Sequence, residues 1–368
     1  MTSSVRRSAG NGGLGALVAR AVAVIPGVAL ACVLAACAAP PAAEGGAAPQ
    51  HGAFSCGGPA LRHSGTKAYV AGHTALTPVD LATGKIGKPL PSIADPITIA
   101  ISPDGRTAYA GTADSVVPID VASNAVGRPI AVPAGAESIA FSPDGCTAYA
   151  AGSGGITTIF LRTRTVGQVI ATPGLGPGLS GPVALTPDGR TAYLAGALAS
   201  GNGQDQAEPS GFLPVDLARG VAGKYLPAPG MYGSAIAPDG RTAYITVGHS
   251  VVPLSLQTGQ AGQPIEIPGA GGPIAITPDG RTAYVGILKP ATPSDAVVVP
   301  IDLAAGTAVT PIPVPSYPSS IEDIAIAADG HTAYVTNLTS VIPIQLATRK
   351  ADSPITTPDG AYSIAVTP

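Results

Sequence analysis

Short runs of alternating apolar and polar residues recur along most of this chain, always in the same order. SIAFSP (Ser138 to Pro143), TAYAG (Thr107 to Gly111), VVPIDV (Val116 to Val121) and RPIAV (Arg128 to Val132) stand for the four kinds of run. A two-residue period, with Pro inside the third and fourth kinds, predicts strands, because Pro removes a helix hydrogen bond and clashes with the preceding turn. We label these predicted strands A, B, C and D. A phrase close to (S/T)-P-D-G-R-T-A-Y joins A to B. In it Pro sets φ at the second turn position, Asp tolerates the third, and Gly takes the left-handed position that closes a three-residue hairpin. The recurrent Asp residues are therefore turn formers, and the tyrosines are packing residues with tethered hydroxyls.

From residue 61 onward the phrase repeats, with its tyrosines at 69, 109, 149, 193, 244, 284 and 334. Four of the six intervals are 40, 40, 44 and 40 residues, and the other two, 51 and 50, require insertions. A period near 40 with four short strands per copy predicts the blades of an all-β propeller. The last copy stops at YSIAVTP (Tyr362 to Pro368), where earlier copies run on into Asp-Gly. Pro358 to Pro368 aligns with Pro133 to Pro143, so TPDG at Thr357 to Gly360 is a linker, and the cut turn resumes at Ser64-Gly65 before Thr66-Lys67-Ala68-Tyr69. Blade one is thus expected to take strands B, C and D from the N-terminal side and strand A from the C-terminus.

Tyr334-Val335-Thr336-Asn337 spells YVTN, and together with the repeated PDG-x-T-A-Y phrase it resembles the YVTN family of β-propeller repeats over residues 61 to 368. The resemblance implies a seven-bladed propeller of an exported or surface protein. It supplies no catalytic residue set to carry over, and propellers support unrelated functions. Seven-bladed lactonases and quinoprotein dehydrogenases are similar in architecture, but none of their site residues can be matched here one by one.

Residues 1 to 36 read as a signal peptide: Arg6, Arg7 and Arg20 precede an apolar run, Ala21 to Ala36, broken by Pro26 and Gly27. Leu34-Ala35-Ala36-Cys37 resembles a bacterial lipobox, which implies lipidation of Cys37 and anchorage on the outer side of the cytoplasmic membrane. Residues 37 to 60 would form a flexible tether, with Ala, Pro and Gly dominating 38 to 50. A net charge of −3 with 11% charged residues gives no basic surface for a nucleic-acid partner. Cys56 and Cys146 remain beyond the signal region and are a possible disulfide in an oxidising compartment.

Because strand direction alternates, A–B and C–D turns fall on one face of the disc, and B–C loops and D–A linkers on the other. From Tyr to the strand C Pro the usual distance is 9 residues, but it is 21 from Tyr193 to Pro214 and 16 from Tyr284 to Pro300. The extra linker residues lie in GLGPGLSG (Gly174 to Gly181) and SYPSSIED (Ser316 to Asp323), so every sizeable insertion is on the loop face. Elaboration of one face is how repeat scaffolds gain binding specificity. The contact candidates are Asp205, Glu208, Lys289, Asp295, Tyr317, Glu322 and Asp323, with Glu137, Tyr232 and Tyr362 at the mouth of the central channel. Solvated rim carboxylates are the plainer alternative for Glu137 and Glu322. His51, His63, His73, His249 and His331 share no metal-ligand spacing, and no G-x-S-x-G, phosphate loop or C-x-x-C is present. The expectation is therefore a monomeric, lipid-anchored binding scaffold without metal or cofactor, retaining an unknown protein or small-molecule ligand. The alternative is an enzyme of lactonase or quinoprotein-dehydrogenase type at the channel mouth.

Overall fold

The computed structural model describes residues 67–90, 93, 95–179, 183–198, 210–289, 296–315 and 320–368, and all regular structure among them is β. Seven antiparallel sheets form the seven blades of a propeller. Blade two is the simplest: strand A is Thr98–Ile101, B is Thr107–Gly111, C is Ser115–Asp120 and D is Ile130–Ala131. One register row runs through all the blades. The Tyr of strand B faces an Ala of strand A and, on its other side, the Pro of strand C, as in Ala100–Tyr109–Pro118 and Ala325–Tyr334–Pro343. Blade three substitutes Thr158 for that Pro.

The core is distributed as seven buried clusters, each spanning the seam between two neighbouring blades. Tyr109, Val116 and Ile130 of blade two, for instance, pack on Ile139, Ala148 and Ile159 of blade three. A fully buried Ile contributes roughly 1.5–3 kcal/mol, so each blade is stabilised mainly by its neighbours.

The A–B turns have the predicted chemistry. Gly105 takes φ 71° and Gly280 φ 69°, and the Asp between Pro and Gly folds back onto the backbone. Asp104 accepts from the Ser102 hydroxyl at 2.6 Å and from the Arg106 amide at 3.1 Å. Asp144, Asp188 and Asp279 are held below the usual carboxylate range, first by the Ser or Thr hydroxyl two residues earlier and then by the following amide.

Strand D departs from expectation. RPIAV was expected to be continuous over Arg128 to Val132, but only Ile130–Ala131 pairs, and Val126 bridges Ile119 separately. The break has a steric cause. Gly127 crosses strand C so closely that a Cβ there would lie 3.0 Å from Pro118, and Pro129 has no N–H to offer. In blade three, where Val169 occupies the place of Pro129, strand D is a single strand over Thr165–Ile170, with a register shift opposite Thr158.

The insertions also differ from simple loops. In blade four strand B extends over Thr191–Leu198 and C over Ser210–Asp216, and in blade six they run Thr282–Lys289 and Ala296–Asp302. GLGPGLSG, expected to be linker, contains a strand, Leu175–Leu179, that pairs with the lengthened strand B at Leu198 and Gly196. A longer strand B leaves an unpaired backbone edge, and the linker supplies its partner.

Blade one is closed as the repeat phase requires. Its strand A, Ser363–Val366, pairs with strand B, Lys67–Ala71, matching Ala68 to Val366 and Ala71 to Ser363. The TPDG linker ahead of it acts as a latch. Asp359 accepts from the amides of Thr74 at 2.8 Å and Ala75 at 2.7 Å and from the Thr74 hydroxyl at 3.0 Å. Desolvation opposes its charge, but these bonds and nearby His73 together hold its carboxyl below the usual range. Gly72 is required at this contact, because a Cβ would lie 2.5 Å from the Asp359 carbonyl oxygen. Deleting Ser363–Pro368 removes the ladder and the buried Ile364. We predict a fall in melting temperature of roughly ten degrees or more by calorimetry; an unchanged melt would mean that the ring does not depend on this strand.

Candidate functional site

The strands A lie innermost and line the central channel, so the residue just before each strand A stands at the mouth on the loop face. Local backbone bonding fixes that level: the amides of Ile97, Glu137, Glu322 and Tyr362 donate to Gly111, Ala151, Thr336 and Ala71 of their own strands B. In blade five the corresponding residue, Tyr232, sits at a register shift between Met231 and Gly233 and is 62% exposed.

A cavity of about 580 Å³ opens here, walled by the strands A of blades five (Met231–Ile236), six (Ala270–Ile276) and seven (Asp323–Ile326). Tyr232, Glu322 and Asp323 line it, together with Gly272 and Ile321. Its geometry depends on a close backbone approach. A Cβ on Gly233 would lie 2.3 Å from the Gly272 carbonyl oxygen. The Thr246 hydroxyl accepts from the Gly233 amide at 2.8 Å and donates to the Gly272 carbonyl at 2.9 Å, joining blade five to blade six.

Asp323 makes the corresponding tie between blades seven and one. Its carboxylate accepts from the Ile364 amide at 3.0 Å and from the Ile324 amide at 2.8 Å, with a further bond from the Ser363 hydroxyl. Part of the residue faces the channel while its carboxyl is walled in by the two blades. Desolvation outweighs these three hydrogen bonds and pushes the carboxyl above its ordinary range. Ser138 occupies the same register position in blade three and accepts from the Val183 amide of blade four at 2.8 Å. Sequence reasoning placed Asp323 at the mouth but missed this inter-blade role; the available signal was a polar residue at the first position of strand A.

The other candidates divide. Glu137 and Tyr362 share the face but not the cavity wall. Glu137 accepts from the Ser153 amide at 3.2 Å, and the Tyr362 hydroxyl hydrogen-bonds the His73 imidazole, whose ring meets it edge-on at 4.6 Å. Lys289 ends strand B of blade six. Asp205, Glu208, Asp295 and Tyr317, like Cys37 and Cys56, lie outside the described residues. Cys146 is disulfide-bonded. Among the described residues no group of three or more His, Cys, Asp and Glu is placed to hold a metal ion. Chemically the cavity offers the Tyr232 phenol and the Glu322 carboxylate, with the engaged carboxyl of Asp323 set into its wall and Ser234 the other polar side chain of a lining that is otherwise apolar or backbone and has no Lys, Arg or His.

Fold and site together define a seven-bladed β-propeller with a loop-face cavity in its channel. No protein-family model matches the sequence, and no curated protein is similar to it. Solved structures of similar fold include hydrazine synthase from Kuenenia stuttgartiensis, 18% identical, TM-score 0.61, covering 80% of this chain and 94% of that one. A functionally unknown protein from Desulfotomaculum acetoxidans is 15% identical, TM-score 0.63, with 82% and 98% covered. The dihydro-heme d1 dehydrogenase NirN is 15% identical, TM-score 0.57, with 82% and 76% covered. At these identities the likeness is one of fold.

The pH dependence of Asp323 is testable. Its folded-state proton affinity is raised, so its ionisation opposes folding above the folded pKa, and the penalty fades as pH falls toward the ordinary carboxylate range. Asp323→Asn keeps an acceptor for Ile364 and removes the charge. Its NH2 takes the place of the Ile324 amide's acceptor, so the test is relative: its melting temperature measured against wild type should be higher at pH 7 than at pH 4. Asp323→Ala leaves the Ile364 amide without its acceptor and should cost about 1–3 kcal/mol at both. An Asn variant that loses stability only at neutral pH would contradict the sign.

Proposed function

We propose that this chain is a binding propeller, held at the outer side of the cytoplasmic membrane through lipidated Cys37, whose ligand seats in the channel mouth between blades five and seven. The observation that carries this reading is the 580 Å³ cavity, with Tyr232, Glu322 and Asp323 on its wall. Its volume falls within the range of small-molecule sites, about 300–1,000 Å³. The lengthened strands B and C of blades four and six extend toward the same face. The YVTN-like repeats agree with export, and a Cys56–Cys146 disulfide would agree with an oxidising compartment.

The enzyme reading keeps the same cavity. What favours it is Asp323, a carboxyl of raised proton affinity beside Glu322, a pairing suited to acid–base work. Hydrazine synthase and NirN, whose names denote enzymes, share the fold, but a fold of this kind carries no chemistry with it.

Cross-linking capture from intact cells should recover the same bound species with wild type and with Cys146→Ser, and lose most of it with Tyr232→Ala or with residues 199–209 and 290–295 removed. Unchanged recovery in those last variants, with melts like wild type, would remove the loop face from the function. Cys37→Ala should shift the protein from the membrane to the soluble fraction; persistence in the membrane would end the lipid-anchor reading.

A further inference from the structure

Charge is segregated between the two faces of the disc. Lys289 apart, every described Lys and Arg lies at an A–B turn or, for Lys67, at the first residue of the strand B that leaves it, at a C–D turn, or on the run leading from that turn into strand D. The Asp residues on that face are engaged locally: Asp120 accepts from the Ser123 amide at 2.8 Å and Asp239 from the Arg241 amide at 2.9 Å. On the loop face lie Asp95, Asp114, Glu137, Glu266, Glu322, Asp323 and Asp359, and the described side chains there include no Lys or Arg. The bases among them are the imidazoles of His73, packed on Tyr362, and His249.

The repeat explains how this arises. Cations recur at the position after PDG and within C–D turns because both positions point into solvent beside backbone-capping carboxylates. The loop-face positions belong to no repeated turn and are free to differ between blades, and where they are charged they are acidic except at Lys289. A cleft lined by one sign of charge with low-dielectric walls focuses its field. The cavity lies within such a face and carries Glu322 at its rim, with Tyr232, an exposed aromatic surface that can attract a cation, on the opposite wall.

We infer that the ligand of the channel mouth presents an organic cation, an alkylammonium or guanidinium group on an apolar stem. This rests on the cavity being the binding site and adds the chemistry of what enters it. The cation inserts between the Tyr232 ring and the Glu322 carboxylate, and its stem lies against Ile321, Ile274 and the glycine backbone of blades five and six. The same group can come from a free polyamine or from Lys and Arg side chains of a peptide.

Calorimetric titration of the full chain separates these cases, with spermidine, a hexa-arginine peptide, neutral myo-inositol and anionic citrate as probes. Binding of either cation is expected, weakening about tenfold or more as salt rises through the range that screens surface charge. Tyr232→Ala and Glu322→Gln should each weaken it by about fivefold or more, while the turn-face control Arg241→Gln stays within about twofold. Spermidine alone binding assigns a free polyamine, and the peptide alone assigns a basic segment. Inositol or citrate binding that is lost in Tyr232→Ala, with neither cation binding, would keep the cavity as the site and overturn the cation. Cation binding that is unaffected by both cavity variants would overturn the placement, and silence from all four probes would overturn the cation assignment.

Discussion

The ladder between Lys67–Ala71 and Ser363–Val366 is the constraint on which the rest of this molecule depends. A propeller blade has too little core of its own, and its apolar faces are buried only by the blades on either side. The seam between blades seven and one contains Ala68, Val70 and Val79 from near the start of the described chain and Ala327, Tyr334 and Ile364 from near its end. Without the ladder that cluster opens, and the neighbouring seams lose the ring that holds them in register. The residues joined are 300 apart, as the bond from the Thr367 hydroxyl to the Lys67 carbonyl shows. Closure entropy grows only as the logarithm of loop length, by about 0.6 kcal/mol per doubling, so so long a span is thermodynamically tolerable once seven seams are buried. The Asp359 latch adds charge-assisted bonds at the same junction.

The cavity inherits its shape from that closure. Asp323 is at once a wall of the channel mouth and the acceptor for Ile364 in the closing strand. Moving the last strand would therefore reposition a carboxyl of the site. Thr246 plays the neutral counterpart between blades five and six. The hydroxyl can both donate and accept, so it joins two backbones without a buried charge. Neighbouring blades are tied at the mouth by these bonds, and the mouth is open where glycine replaces side chains that would fill it.

Local turn chemistry and phase made most of the architecture legible. The Asp and Gly of the A–B turns, the Tyr row and the one-plus-three closure each follow from residues close together in the chain or from a fixed period. Strand D and the GLGPGLSG segment were misjudged because their pairing depends on another strand: the Pro118 ring under Gly127, or the added length of strand B in blade four. The site was legible only as a level. The repeat phase puts Tyr232 at the mouth and Glu322 on the loop face, and both line the cavity, but it could not show that the cavity is confined to blades five, six and seven. That confinement comes from Gly233 and Gly272 and from the bulged register beside them. Glu137, expected at the same mouth, is not part of the cavity wall.

Aspartate illustrates how a repeat protein separates structure from recognition. In the A–B turns its carboxylate is satisfied by an amide and, in several blades, a hydroxyl within three residues, so ionisation is favoured and the group is unavailable to a ligand. At the first position of strand A the same side chain has no turn to cap. It reaches instead across the seam to the next blade, pays a desolvation penalty, and stays beside the channel. The difference is set by register position alone. A substitution at one copy of that position alters the channel without disturbing the turns that fold the blades, and this lets one blade in seven acquire chemistry that the others lack.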